Sequence, residues 1–146
     1  MRRLSILFAS LALAPFALAA CGGDGGGESE AEGGEGAKIA CRGDAYDGDL
    51  GLPENFPTPA EFVATSSEQE GPTRVVVGYW ESGLDEAYRE WKDAVEGAGF
   101  DVTFDELEDH DSEIAYDGSG RTGLIQLRDT CEEDGVTYVR ITSRPE

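Results

Sequence analysis

Thr73-Arg74-Val75-Val76-Val77-Gly78-Tyr79-Trp80 is the stretch on which the fold turns. Its β-branched and aromatic residues read as a strand. Just upstream, Glu61-Phe62-Val63-Ala64-Thr65 reads as a second strand closed by a polar turn over Ser66–Gly71, so the two form a hairpin. Downstream the period changes. Leu84, Ala87, Tyr88, Trp91, Ala94, Val95 and Ala98 recur every three or four residues, which makes the apolar stripe of a helix. Ser82 stands where an N-cap belongs, Asp85 and Glu86 suit the positive end of the helix dipole, and Gly97 and Gly99 stop the helix. Phe100–Asp105 alternates apolar and polar residues, and Glu113–Asp117 does so more briefly. Thr122–Asp129 and Val136–Ser143 supply two more strands around a turn at Glu132–Gly135. The reading is an α+β domain in the order β-β-α-β-β-β-β. Short strands after a single helix predict an antiparallel sheet of about five to six strands with the helix packed on one face.

The second strand is apolar on both sides. Val75, Val77 and Tyr79 point one way, and Val76 and Trp80 the other. A single helix covers only one face, so the other meets water, a partner or another part of the chain. Two outcomes follow. The irregular, Gly- and Pro-rich segment Lys38–Pro59 folds over that second face, or an open aromatic patch around Trp80, with Tyr138, docks a protein or a small apolar ligand.

At the N-terminus, Met1-Arg2-Arg3 precedes an apolar run from Leu4 to Phe16, and the segment closes on Leu18-Ala19-Ala20-Cys21. A basic start, an apolar core of about 7–15 residues and small residues before the cut form a secretory signal peptide. A membrane-spanning helix needs about 20 apolar residues. Leu4–Ala20 is shorter than that, contains Pro15 and runs into a Gly-rich acidic stretch. The closing four residues resemble the lipobox of bacterial lipoproteins. That resemblance implies a leader over 1–20, a diacylglyceryl thioether on Cys21, and an extracytoplasmic protein lipid-anchored to the bacterial cell membrane. Two acyl chains hold stably where one is marginal. Residues 21–37 form the lipidated cysteine and a flexible Gly/acidic linker with a reach of roughly 20–25 Å. Residues 38–146 form one domain. Within it, Leu52-Pro53-Glu54-Asn55-Phe56-Pro57, two strands, and a helix ending in Gly97-Ala98-Gly99-Phe100 resemble small uncharacterised extracytoplasmic bacterial domains, a likeness of architecture that carries no activity.

The full chain has a formal net charge of −20, with 31 acidic residues against 11 Lys and Arg. Loss of Arg2 and Arg3 with the leader takes this to −22. Such a chain repels nucleic acid and anionic headgroups. Its expected partners are the membrane, reached through the anchor, and an envelope protein or a cationic partner. With Cys21 given to lipid, Cys41 and Cys131 remain as a pair in an oxidising compartment, and a disulfide between them is expected.

No stretch carries catalytic chemistry. The one histidine, His110, lies in the acidic run Glu106–Asp111 and faces no Gly-x-Ser-x-Gly nucleophile. Paired carboxylates arise by chance in so acidic a chain. Asp44, Asp47 and Asp49 are weak calcium candidates, because their spacing is not the alternate one of a calcium loop and Leu50-Gly51-Leu52 offers no closing acid, which leaves Glu54 for that place. No cofactor motif is present. The sequence leads to a non-catalytic binding lipoprotein, with two alternatives: an accessory envelope lipoprotein without a defined pocket, and a calcium-binding surface domain.

Overall fold

The computed structural model of the protein describes residues 37–146. Cys21, the expected leader and the expected linker up to residue 36 lie outside them. Seven elements follow one another: β1 Phe62–Glu70, β2 Thr73–Trp80, α1 Leu84–Gly97, β3 Asp101–Leu107, β4 Asp111–Gly118, β5 Arg121–Arg128 and β6 Thr137–Pro145. All six strands form one antiparallel sheet in the order β1-β2-β6-β5-β4-β3. The last strand is therefore inserted between the hairpin before the helix and the meander after it. A central place suits β6, whose Thr137, Val139, Ile141 and Ser143 are all buried. The edges fall to β1 and to β3, which is acidic and has a register shift between Val102 and Phe104; charge and bulges both suit an edge.

Three local expectations change. Ser66–Glu70 is strand rather than turn, because β1 stays paired with β2 out to Glu70–Thr73 around a bulge at Ala64/Ser66. Polar residues fit there, since half of an edge strand's side chains face water. The helix starts one residue late. Gly83 is its N-cap and no side chain caps it, because the Ser82 carbonyl accepts a hydrogen bond from Thr137 Oγ1 at 2.8 Å. β3 runs on to Leu107.

Cross-strand partners share a face, so the register sorts the sheet into two sides. Val76, Trp80, Ile114, Tyr116, Ile125, Leu127, Val139 and Ile141 lie on the inner face, in one buried cluster with Leu84, Ala87, Trp91 and Val95 of α1. Trp91 is its hub: its ring centroid is 5.5 Å from Trp80, 5.2 Å from Phe62 and 6.3 Å from Phe56. Phe56 closes the far end of this core against Tyr116 at 5.1 Å and Phe100 at 5.5 Å.

Phe56 belongs to the Gly/Pro-rich segment. That segment begins beside the outer face, where Ile39 bridges to Cys131 and Cys41 packs with Tyr79, Val136 and Tyr138. It then passes the edge strand, the Tyr46 N–H donating to the Ala64 carbonyl at 2.7 Å. From Leu50 onward it runs across the inner face. Leu50 accepts from Ser67 Oγ at 2.8 Å, Leu50 and Leu52 pack on the main core, and Asn55 bonds Ser119 at 2.8 Å. This corrects the expectation that Lys38–Pro59 folds over the second face. Only its first residues do so. The rest is a strap over the end of the inner core, where Phe56 buries more apolar area than it would on the charged outer side.

Candidate functional site

Trp80 and Tyr138 do not form a common patch. Trp80 is fully buried on the inner face against Trp91. Tyr138 is the cross-strand partner of Tyr79 on the outer face, and packs at the edge of a small cluster of Tyr79, Cys131 and Val136. The physical reason is the period of two: Trp80 pairs with Thr137, so Tyr138, the next residue, must point the other way. Trp80 is core, and any role at a surface passes to other residues.

Cys41 and Cys131 are joined by a disulfide, with Cα atoms 5.3 Å apart. Glu133 braces it by accepting the backbone N–H groups of Cys41 at 3.3 Å and Arg42 at 3.4 Å. Its own backbone N–H and those two hold the Glu133 carboxyl below the usual carboxylate range. Among the described residues, Cys41, Cys131 and Glu133 are the one group of three or more metal-type donors within 4.8 Å of one another, and two of the three are consumed by the bridge. Asp44, Asp47 and Asp49 are exposed and are not brought together; Asp49 instead accepts the Gly51 N–H at 2.8 Å. His110 sits in an exposed turn, its Nδ1 3.9 Å from an Asp129 oxygen.

The outer face is striped by charge. β1 brings Glu68 and Glu70, β2 brings Val75, Val77 and Tyr79, β6 and β5 bring Arg140, Arg144, Leu124, Gln126 and Arg128, and β4 brings Asp111, Glu113 and Asp117. A relay crosses three strands: Arg140 donates to Gln126 at 3.2 Å and Gln126 to Glu113 at 2.9 Å. Arg128 stands opposite Asp111. Phe104 ends this side at the sheet edge, 50% exposed. Beyond it, Glu106, Glu108, Asp111 and Glu113 line a depression of about 190 Å³. Asp111 and then Glu106 push the Glu108 carboxyl up by repulsion.

A cavity of about 400 Å³ lies along β1, between Tyr46, Leu50 and Thr58 of the strap and Phe62 and Val63 of the strand. No charged side chain lines it.

On the inner side, two polar groupings stand out that sequence reasoning missed. In the first, Asp105 of β3 accepts the Tyr88 hydroxyl and the Lys92 ammonium, the latter at 2.8 Å, fastening the helix to the edge strand. Lys92 first and Tyr88 second hold the Asp105 carboxyl below its ordinary value of 3.8. A depressed carboxyl stabilises the fold above its ordinary value and loses that contribution as pH falls through the depressed one. Asp105→Asn is expected to flatten the acid-unfolding curve below about pH 4; circular dichroism against pH checks this, and a curve identical to wild type there would refute it.

In the second, Arg74 of β2 and Arg121 of β5 flank Ser143 of β6. Ser143 is the register partner of Arg74. Arg121 donates from Nε to Ser143 Oγ and from Nη2 to the Ser143 carbonyl, both at 3.1 Å. The Tyr116 hydroxyl lies beside them and donates to the Thr142 carbonyl at 2.9 Å. Burial pushes that phenol up to about 12, against the lowering effects of Ser143 and Arg121. The sequence held a signal for this grouping. The alternation that places Val76, Ile125 and Ile141 in the core places Arg74, Arg121 and Ser143 on the same side, and charge at core-facing positions is uncommon.

Comparison of the chain with protein-family models, with curated proteins and with solved structures finds no match.

Proposed function

We propose that this chain is a lipid-anchored, extracytoplasmic, non-catalytic binding domain. Cys21 carries the acyl chains, the acidic linker lifts the domain off the bilayer, and an envelope protein docks on the sheet face not covered by the helix. The observation that carries the reading is the Cys41–Cys131 bridge in a chain whose leader ends on Leu-Ala-Ala-Cys. Disulfides persist in oxidising compartments, so the bridge and the leader point the same way. The docking face is supported by its mixed character: half-buried Val77, Leu124 and Tyr138 beside Arg128, Arg140 and Arg144 and bounded by carboxylates. Aromatic, aliphatic and arginine side chains together are the usual material of an interface.

Cys21→Ser is expected to move the protein from the membrane fraction to the soluble extracytoplasmic fraction or to leave its leader uncut. A variant that is cleaved and still sediments with membranes would overturn the anchor. For the face, a photo-crosslinker at Leu124 in the native envelope is expected to give a discrete adduct that Arg140→Glu abolishes while the melting temperature holds. No adduct from Leu124, Val77 or Tyr138 would favour the accessory lipoprotein without a defined docking surface.

A further inference from the structure

We propose that Arg74 and Arg121, brought together at Ser143 beneath the strap, form a binding site for the oxyanion of a ligand, a phosphate or a carboxylate group. The first ground is charge. This chain carries 31 acidic residues and 11 Lys and Arg. Its ion pairs among the described residues use Lys38, Arg42, Lys92 and His110. Arg74 and Arg121 enter none of them, although both are half-buried on the core side of the sheet. A cation withdrawn from water without a counter-charge is costly.

The second ground is an unmet donor. Arg74 Nε is buried and has no hydrogen-bond partner. The strap lies directly on it: Gly51, at φ +66, approaches so closely that an added Cβ would collide with Arg74 Nε, Cζ and Nη2. On the other side Arg121 is already aimed by its two bonds to Ser143. Gly123, the β5 partner of Ser143, leaves the space that the Tyr116 phenol occupies. Two guanidiniums and the Tyr116 phenol thus lie around one buried serine.

The third ground is the chemistry of the donors. Guanidinium nitrogens only donate, in a planar fork that matches the two oxygens of a carboxylate or phosphate. The Ser143 hydroxyl adds a donor beside them, while the Tyr116 proton is already held by the Thr142 carbonyl. A cationic ligand is repelled here. The outer-face arginines differ in kind, since Arg140 donates to Gln126 and Arg128 faces the carboxylate of Asp111, whereas Arg121 is bound only to the neutral Ser143 and Arg74 Nε to nothing. The anion site lies on the opposite side of the sheet from the proposed docking face, so either can fail without the other.

The test uses the full chain in nonionic detergent, titrated with inorganic phosphate and separately with succinate at constant ionic strength. The readout is the Nε–H resonances of Arg74 and Arg121. Saturable shifts with either probe are expected, phosphate alone assigning a phosphate ligand, succinate alone a carboxylate, and both an unselective oxyanion site. Arg121→Gln and Arg74→Gln are each expected to weaken binding at least about tenfold, and Arg140→Gln to leave it unchanged. Should Arg121→Gln not fold, Arg121→Lys keeps the charge, removes the fork and is expected to weaken binding as well. The absence of saturation with both probes up to about 10 mM, or wild-type affinity in both arginine variants, would overturn the proposal.

Discussion

Trp91→Ala is expected to lower the unfolding free energy by about 3–5 kcal/mol, the usual cost of truncating a large buried aromatic. Trp91 is fully buried and touches Trp80, Phe62 and Phe56, so its loss opens the centre of the main core. A domain of this size has about 5–15 kcal/mol in total, and the melting temperature is expected to fall by roughly 15–20 °C. The neighbours cannot close the gap by small shifts, because α1 is also held at its edge by Asp105 and at its end by the bond from Asn55 to the Ala98 carbonyl. Trp91→Phe should cost much less. The Trp91 indole Nε1–H is buried without a partner, so phenylalanine removes an unmet donor along with some contact area. Urea unfolding followed by far-ultraviolet circular dichroism checks both. A Trp91→Ala loss below about 1 kcal/mol, the average for any substitution, would show that the helix is not seated on this core.

The second large effect is expected from opening the disulfide. Cys41 and Cys131 are 90 residues apart, and in the chain-entropy account a loop this long contributes about 4–5 kcal/mol by restricting the unfolded chain. Reduction of the wild-type protein should therefore lower the unfolding free energy measured in urea by about this much, and Cys41→Ser with Cys131→Ser by somewhat more. Cys131 is also 1% exposed beside Tyr79 and Val136, so a serine there adds a buried hydroxyl and makes the double variant the less stable of the two. A reduced protein as stable as the oxidised one would mean that the unfolded chain is already compact.

Much of the local structure was legible in the chain. The run Thr73–Trp80 and the stripe from Leu84 to Ala98 have periods of two and three-to-four, and backbone geometry alone converts those periods into a strand and a helix. The element ends were harder to read. Ser66–Glu70 looks like a turn because its residues are polar, yet it pairs to the end, since an edge strand buries only one side. Ser82 looks like an N-cap, but a carbonyl bond from Thr137, distant in sequence, moves the start of the helix to Leu84.

The candidate sites divide in the same way. The pairing of Cys41 with Cys131 follows from counting sulfurs once Cys21 is assigned. Trp80 and Tyr138 do not share a patch, because the alternation along each strand does not say which residues of two strands share a face. Which face Tyr138 shares with which neighbour depends on the register between β2 and β6, and nothing local sets it.

What the residue order determined by itself is therefore short-range: the helix, the strands, the hairpin before α1, the acidic surface and the cysteine pair. Those rest on interactions between residues close in the chain, or on composition. Only the tertiary structure decided that β6 enters between β2 and β5, that the strap crosses to the inner face to bury Phe56, and that Arg74 and Arg121 fall on the two sides of Ser143 on that face. Those outcomes depend on which distant surfaces bury the most apolar area together, a comparison made across the whole molecule rather than within any one segment.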